Sequence, residues 1–243
     1  MRVRKNGKMG TALPYLIAAV VAGLFFPGDP AFAETSQKPD AENAGLLSQV
    51  LGHMEQAGKN LVDLKANFQQ TKVFTLFEDK TESGGKLTYK RPGKILWEFE
   101  EPNPSKLVIN KEIAWLYLPK IKQVQKVNLK DKAQTESLLI GFGTSAAEIQ
   151  DSYEVNLVGA DKVDQKEAYI LELIPKKELS SYFSKILLWI DQEKWIPTKT
   201  ELVESSGDTT TIEFTAIQLN THIPDDLFNF KIPNGAEVID YSK

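Results

Sequence analysis

The sequence predicts a mainly β fold in which one large antiparallel sheet curls toward a barrel under a lid of helices. Short runs that alternate apolar and polar residues recur along most of the chain, and turn residues separate them. After residue 41 only two segments lack this alternation. Many short strands at even spacing, with few helices between them, are typical of such sheets. No internal repeat divides the chain, so we expect one domain.

The N-terminus has the three parts of a secretory signal peptide. Four basic residues precede an apolar run, Leu13–Phe26, and Ala31-Phe32-Ala33 forms an A-x-A cleavage site. The run of 14 residues is shorter than the about 20 residues that a membrane-spanning helix needs. We therefore predict a signal peptide at residues 1–33, a disordered polar tether at residues 34–43 and one domain at residues 44–243.

Composition argues against several kinds of protein. Removal of residues 1–33, which hold four basic residues and one acidic residue, changes the formal net charge from −4 to −7. An acidic protein without clustered Lys and Arg binds nucleic acid or anionic membranes poorly. The chain has no cysteine, which excludes disulfides, thiolate metal sites, a cysteine nucleophile and a lipid anchor on an N-terminal cysteine. We expect an exported, unanchored protein that binds no nucleic acid.

One amphipathic helix is predicted at about residues 42–60. Leu47, Val50, Leu51 and Met54 recur at spacings of three and four, which places them on one side of a helix. This apolar stripe is expected to pack against the sheet.

After Leu61 the apolar residues recur with a period of two, which indicates half-buried strands. Turn sequences such as Ser83-Gly84-Gly85 and Arg91-Pro92-Gly93 separate these runs. The predicted strands lie around Phe68, Tyr89 and Ile95–Phe99, and then at Lys106–Ile109, Ile113–Leu118, Val124–Leu129, Tyr153–Val158, Tyr169–Ile174, Lys185–Ile190, Pro197–Val203 and Thr209–Leu219.

The second segment without alternation is Glu136–Gln150, which is apolar and contains Gly141 and Gly143. Two short helices around Gly141–Thr144 fit this segment best. With the N-terminal helix, they are predicted to cover the open mouth of the sheet as a lid.

The residue patterns of common enzymes are absent from the sequence. The only histidines are His53 and His222, and neither H-E-x-x-H nor G-x-S-x-G occurs. Gly141-Phe142-Gly143 does not lead from a strand into a dinucleotide-binding helix, and we interpret it as flexibility of the lid. The acidic groups at Glu98 and Glu100-Glu101 are interpreted as solvated strand ends, like Asp225-Asp226. We predict no enzyme, no cofactor and no metal site.

Five residues around one turn share one parity and are predicted to project from the apolar inner face of the sheet: Tyr89, Arg91, Ile95, Trp97 and Phe99. The prediction assumes that the turn introduces no bulge. A guanidinium on an apolar face keeps its charge and needs hydrogen-bond acceptors. Two interpretations therefore remain open: Arg91 binds acceptors on the inner face, or it ends its strand and extends into water.

The segment Gly85–Phe99, with Lys90-Arg91-Pro92 at its centre, resembles the signature of the outer-membrane lipoprotein carrier family (LolA-like). Phe68-Gln69-Gln70 is similar to the first strand of that family. Leu227–Phe230 and Pro233–Val238 are similar to its closing segment. The resemblance spans Leu46–Asp240, nearly the whole chain after the predicted signal peptide.

The resemblance implies an incomplete β-barrel with a helical lid and an apolar cavity. It also implies a monomeric protein of the periplasm that carries lipoproteins by their acyl chains. Its expected partners are an inner-membrane lipoprotein-releasing ABC transporter and an outer-membrane receptor lipoprotein. The family's arginine of the Arg-Pro motif, which ties the lid shut in the unloaded form, corresponds to Arg91, and its cavity positions correspond to Ile95 and Trp97. The predicted ligand-binding residues of cavity and latch are Arg91, Tyr89, Ile95, Trp97, Phe99, Trp115, Leu138 and Leu139.

An alternative function remains open. Ile186–Asp191 also resembles more distant relatives that bind lipid or lipopeptide without trafficking lipoproteins. A periplasmic lipid-binding sensor or regulatory protein would use the same half-barrel.

Overall fold

The computed structural model describes residues 3–4, 41–129, 140–142, 144–176 and 183–242. This part of the chain holds two α-helices, α1 (Ala41–Asn60) and α2 (Ala146–Ser152). Neither of these helices combines the length and the apolar character needed to cross a membrane. The strands are β1 (Val3–Arg4), β2 (Asp63–Phe74), β3 (Asp79–Lys90), β4 (Lys94–Phe99), β5 (Ser105–Asn110), β6 (Ile113–Leu118), β7 (Gln123–Asn128), β8 (Tyr153–Val163), β9 (Lys166–Pro175), β10 (Phe183–Asp191), β11 (Pro197–Glu204), β12 (Thr209–Leu219) and β13 (Glu237–Asp240).

All of these strands belong to one sheet, in the order β1-β13-β7-β6-β5-β4-β3-β2-β12-β11-β10-β9-β8. Neighbours pair antiparallel except at β13, which runs parallel to both β7 and β1. The two end strands, β1 and β8, do not pair with each other, so the sheet remains open. The predicted fold class, a mainly β incomplete barrel, is therefore confirmed.

Helix α1 covers one face of the sheet, which we call the inner face. Val50, Leu51 and Met54 are buried against it, as the spacing of the apolar residues predicted. The helix begins at Ala41, so residues 41–43, which were assigned to the disordered tether, are helical. Residues 34–40 lie outside the described part of the chain, as do residues 1–33 apart from Val3 and Arg4.

The hairpins that follow have a regular register, which fixes the face of each side chain. In β2 and β3, Phe68 pairs with Gly85, and Leu87 of β3 pairs with Trp97 of β4. A Cβ atom on Gly85 would lie 1.9 Å from the carbonyl oxygen of Glu98, and the ring of Phe68 also lies over this residue. Only glycine fits here, because the two neighbouring strands approach too closely for a side chain.

Helix α2 begins at Ala146 because Ser145 caps its N-terminus. The Ser145 hydroxyl accepts from the Glu148 amide, and the Glu148 carboxylate accepts from the Ser145 amide, which forms a capping box. One of the two short helices predicted around Gly141–Thr144 is present and begins at Ala146, and residues 140–142 form a turn. Residues 136–139 and 143, where the other would lie, are outside the described part of the chain.

The opposite, outer face of the sheet is covered by the C-terminal segment. Ile223 and Phe228 pack on Leu96 and Val108 in a separate apolar cluster. Consequently Leu96 of β4 and Val108 of β5 belong to an outer core, while the other apolar side chains of these two strands face the inner one.

Candidate functional site

The inner face carries a group of three aromatic rings at the centre of the main apolar cluster. The ring of Phe68 lies edge-on to Trp97 at 5.5 Å and to Phe99 at 5.0 Å between centroids. Trp97 and Phe99 stack in parallel at 6.1 Å. Ile95 and Leu87 belong to the same cluster, and each is at most 2% exposed. The strand register puts all five side chains on the face that α1 covers.

Four predicted site residues therefore lie together on the inner face. Ile95, Trp97 and Phe99 are buried there, and the half-buried Tyr89 packs against the same cluster. Tyr89 pairs directly with Ile95, so the alternation continues correctly from β3 into β4 even though a turn intervenes.

The indole of Trp97 is a buried donor without an acceptor. Its Nε1 atom has no hydrogen-bond partner among the described residues. Water does not reach it either, because the residue is only 1% exposed. A buried N–H that is left unpaired costs free energy. In an otherwise apolar surface this group is an available donor for an acceptor on a bound molecule.

Arg91 lies one residue past the end of β3, at the start of the turn 91–93, in which Gly93 has φ +59°. Its backbone amide still donates to the carbonyl oxygen of Val62 at 2.9 Å, so it continues the pairing with β2 by one residue. The residue is exposed, but its side chain does not simply extend into water. Its Nη1 donates to the carbonyl oxygen of Gly58 at 2.7 Å. Gly58 lies in the last turn of α1, so Arg91 joins the β3–β4 turn to the helix that covers the inner face.

A second contact holds the middle of α1. The imidazole of His53 stacks on the indole of Trp195 with centroids 4.2 Å apart and planes 18° from parallel. Trp195 lies in the turn between β10 and β11 and also stacks on Tyr169 at 6.1 Å. At the end of the helix, the side-chain Nδ2 of Asn220 donates to the carbonyl oxygen of Asn60 at 3.0 Å. The Oδ1 of the same side chain accepts from the backbone amide of Val62 at 2.8 Å.

Residues 140–142 form a turn that fills part of the inner face. Ile140 packs beside the core of α1, and Phe142 lies edge-on to Phe214 at 5.3 Å in the main cluster. Gly141 has φ +86°, and a Cβ atom there would lie 2.7 Å from the Pro197 ring. Leu138 and Leu139, which were predicted for this part of the cavity, lie outside the described residues.

Trp115 lies on the outer face, so its prediction as a cavity residue is wrong. It pairs with Val108 of the outer cluster and stacks on Phe230 at 5.4 Å. Its neighbours Ala114 and Leu116 face the inner cluster instead. Strand β6 is apolar at every position, so the sequence has no alternation from which the face of Trp115 can be identified.

Charged groups that anchor the C-terminal segment lie away from the aromatic rings. Asp225 bonds Lys90 at 2.6 Å and Lys94 at 2.7 Å, and these hydrogen bonds lower the pKa of its carboxyl to about 2. Burial raises the pKa of Asp63, but hydrogen bonds from Ile223 and Thr221 outweigh this and leave it lowered. Across the described residues, no three His, Asp or Glu side chains converge as a metal site requires.

A groove of about 310 Å³ lies where α1 meets α2. It is lined by Ala44, Leu47, Ser48, Leu51, Gly52, Glu55, Ala146 and Gln150. The aromatic rings themselves are closely covered, so a long apolar ligand reaches them only if the covering elements move.

Three inner-face residues, Phe68, Phe142 and Phe214, were not among the predicted ligand-binding residues. Phe68 and Phe214 are direct cross-strand partners, and the alternation along β2 and β12 contains the signal for both. Phe142 follows a glycine in a turn, where no periodicity indicates a face.

A family model described as outer membrane lipoprotein carrier protein LolA matches residues 59–231. An outer-membrane lipoprotein carrier protein of Pseudomonas putida (strain GB-1) is 32% identical over 181 residues, which cover 72% of this chain and 81% of that protein. The corresponding protein of Hahella chejuensis is 27% identical over 209 residues, which cover 86% and 93%.

Two solved structures are similar in fold. An uncharacterized conserved protein from Thermus thermophilus has a TM-score of 0.54 at 14% identity, over 80% of this chain and 99% of that one. MucB has a TM-score of 0.50 at 12% identity, over 80% of this chain and 66% of that one. At these identities the likeness concerns the fold alone. The family model, by contrast, covers well over half of the sequence, and this chain therefore belongs to the LolA family of outer-membrane lipoprotein carrier proteins.

Proposed function

We propose that this chain is a periplasmic carrier that binds the acyl chains of lipoproteins on its inner face and delivers them from the inner to the outer membrane. Proteins of its family are carriers rather than enzymes. The predicted signal peptide at residues 1–33 supports export. Its partners would be the lipoprotein-releasing ABC transporter of the inner membrane and a receptor lipoprotein of the outer membrane.

The observation that carries the proposal is the tie between Arg91 and Gly58, which closes a helix over an apolar face. Acyl chains bind such a face because each buried CH₂ contributes about 0.8 kcal/mol. Two or three long chains, fully buried, would exceed the ceiling of roughly 18–21 kcal/mol for non-covalent affinity. A carrier that bound them so tightly would not release them, so part of the gain has to be offset.

Closure of the lid provides such an offset. Entry of acyl chains beneath α1 requires that the Arg91–Gly58 hydrogen bond and the His53–Trp195 stack open. A hydrogen bond to a charged group contributes about 1.5 kcal/mol or somewhat less when the group is partly exposed. Loading therefore costs the free energy of opening the lid, which weakens the binding of the acyl chains. Because the chains are then held less tightly, they pass without ATP to a partner that buries them better.

Purification of the protein from periplasm, followed by mass spectrometry, tests the proposal. We expect the intact mass of a chain that begins at Glu34, because the signal peptide is cleaved after Ala33. We also expect lipoprotein or lipopeptide to be bound to it. Phospholipid without any acylated peptide would favour the sensor or regulatory alternative. A full-length, membrane-bound main product would contradict export as a soluble carrier.

Transfer is tested separately. Purified carrier loaded with labelled lipoprotein is mixed with outer-membrane vesicles, and the label that remains soluble is measured over time. Delivery is expected to be saturable and independent of ATP. Retention of all label by the carrier, in the presence of active receptor, would contradict the carrier function.

A further inference from the structure

One end of the inner face is polar although it is buried. It lies where β2 and β11 end and β12 begins, opposite the end that holds Arg91. Lys72 of β2 is 3% exposed, and Thr210 of β12 is 0% exposed. The two residues are direct cross-strand partners, so their side chains share a face. That face is the inner one, because Phe68 and Phe214, which pair in the same two strands at even spacings, belong to the main inner cluster.

The ammonium group of Lys72 is held by two contacts. Its Nζ lies 2.7 Å from Oε1 of Glu204 and 5.0 Å from the centroid of the Phe74 ring. A lysine ammonium has three N–H donors and no acceptor. A charge this deeply buried is rare unless it is paired, and here one carboxylate at the rim, 25% exposed, pairs with it.

Thr210 has a buried hydroxyl whose hydrogen-bonding capacity is unused. Its Oγ1 has no partner within the described residues. Almost all buried polar atoms in native proteins are bonded, so an exception calls for an explanation such as a bound group. The two residues are cross-strand partners, so the hydroxyl lies beside the lysine, and both side chains project from the inner face. The buried polar residues Gln70 and Thr200 lie on the same face, between this end and the aromatic rings.

We propose that Lys72 and Thr210 form a subsite for the polar end of an acyl ligand, in which they donate hydrogen bonds to its carboxylate, ester or amide oxygen. This inference rests on the proposed acyl-binding function and specifies the direction of the chain. Phe68 lies four residues from Lys72 along β2, which is about 13 Å at the rise of a strand. A long acyl chain spans that distance, so its oxygen lies at Lys72 and Thr210 while its methylenes lie on the rings of Phe68, Trp97 and Phe99.

The test uses the mature chain and three fluorescent probes of equal length: a pyrene-labelled fatty acid, its methyl ester and the matching pyrene-labelled alkane. The acid and the ester separate a carboxylate from an ester ligand, and the alkane has no acceptor. We expect the wild type to bind the acid and the ester more tightly than the alkane. Thr210→Val, which keeps the shape and removes the hydroxyl, should weaken acid and ester binding by about 2- to 10-fold, as a single hydrogen bond does. It should leave alkane binding and the melting temperature unchanged or slightly raised.

The lysine is tested with the double variant Lys72→Met and Glu204→Gln, which removes both charges together and leaves no unpaired carboxylate. It should weaken acid binding more than ester binding. Thr198→Val is the matched control, since the Thr198 hydroxyl is also buried but donates to the carbonyl oxygen of Trp189 at 3.4 Å. It should leave the preference among the three probes unchanged.

The outcomes separate this inference from the function on which it rests. If the wild type binds all three probes equally and Thr210→Val changes nothing, Lys72 and Glu204 form a purely structural ion pair and the subsite is disproved. If the wild type binds none of the probes, acyl binding itself fails and the subsite fails with it. Because Thr210→Val removes only one hydroxyl, it still decides the question if the double variant does not fold.

Discussion

The guanidinium of Arg91 donates to the carbonyl oxygen of Gly58 at 2.7 Å, so a residue of the β3–β4 turn holds the last turn of the N-terminal helix. The last four carbonyls of a helix have no partner within the helix, and a cation at this end also interacts favourably with the helix dipole. The contact uses one nitrogen at the tip of the side chain. It can therefore break without disturbing the sheet, as the proposed latch requires.

The first prediction concerns Arg91→Leu. Loss of the latch lowers the cost of opening the lid, so the loaded state becomes more favourable and transfer to acceptor vesicles slows. A change of about 1.4 kcal/mol would alter the partition about tenfold, and we expect an effect up to that size. The measurement is the fraction of labelled lipoprotein retained beside the fraction delivered in a fixed time.

The control for Arg91→Leu is Lys86→Leu. Lys86 is an exposed cation on β3 whose carboxylate partner, Glu100, is 3.9 Å away. Its loss should change retention and delivery by less than twofold, since exposed ion pairs contribute little. Equal behaviour of the two variants would show that Arg91 is not a latch.

The second prediction uses two tryptophans on opposite faces. Trp97 lies in the inner aromatic group, while Trp115 stacks on Phe230 outside. Energy transfer from tryptophan to a fluorescent acyl probe should therefore fall strongly in Trp97→Phe and little in Trp115→Phe. Since phenylalanine removes the unpaired indole N–H, Trp97→Phe should keep the melting temperature within a few degrees of the wild type.

A stronger change at the same position tests the face itself. Trp97→Asp puts a charge among apolar side chains and should reduce probe affinity by more than tenfold, provided that circular dichroism shows a folded sheet. Unchanged saturable binding in a folded Trp97→Asp protein would contradict an acyl site on the inner face.

The third prediction concerns the stack of His53 on Trp195. Aromatic pairs of this geometry contribute about 0.5–1.5 kcal/mol beyond the area that they bury. A double-mutant cycle with His53→Ala and Trp195→Ala should give a coupling energy in that range. Hydrogen exchange should speed up in α1 in each single variant while the amides of β3 and β4 stay protected. A coupling energy near zero would mean that the two rings touch without holding the helix.

The fourth prediction follows from the pKa of Asp225, which Lys90 and Lys94 lower from 3.8 to about 2. A carboxyl whose pKa is lower in the folded state stabilises the fold above its ordinary pKa, and this contribution is lost as the pH falls toward 2. Asp225→Asn should therefore be less stable than the wild type at pH 7, and the difference should shrink between pH 4 and 2. Urea unfolding across this range measures it. A difference that stays constant with pH would mean that the charge of Asp225 is not its cause.

The site could be predicted from the sequence only in part. The parity of Ile95, Trp97 and Phe99 identified one inner-face strand correctly, because a period of two is legible wherever the opposite face is polar. The resemblance of Lys90-Arg91-Pro92 to the family signature identified Arg91 as a candidate site residue, which periodicity alone did not. The acceptor that Arg91 binds, the carbonyl oxygen of Gly58, could not be predicted, because the contact joins a turn to a helix end 33 residues earlier in the chain.

The sequence by itself determined the mainly β class, the N-terminal helix and most strand positions, because these depend on local periodicity and turn residues. Only the tertiary structure decided which face the apolar residues of β5 and β6 occupy. Leu107–Ile109 are three consecutive apolar residues and β6 is apolar at every position, so the contrast that alternation needs is lost there. The packing of Ile223 and Phe228 on the outer face decides it instead. Three further contacts also join residues that are far apart in the chain: Arg91 with Gly58, His53 with Trp195, and Lys72 with Glu204. They form only when the helix has packed on the sheet and the strands have paired.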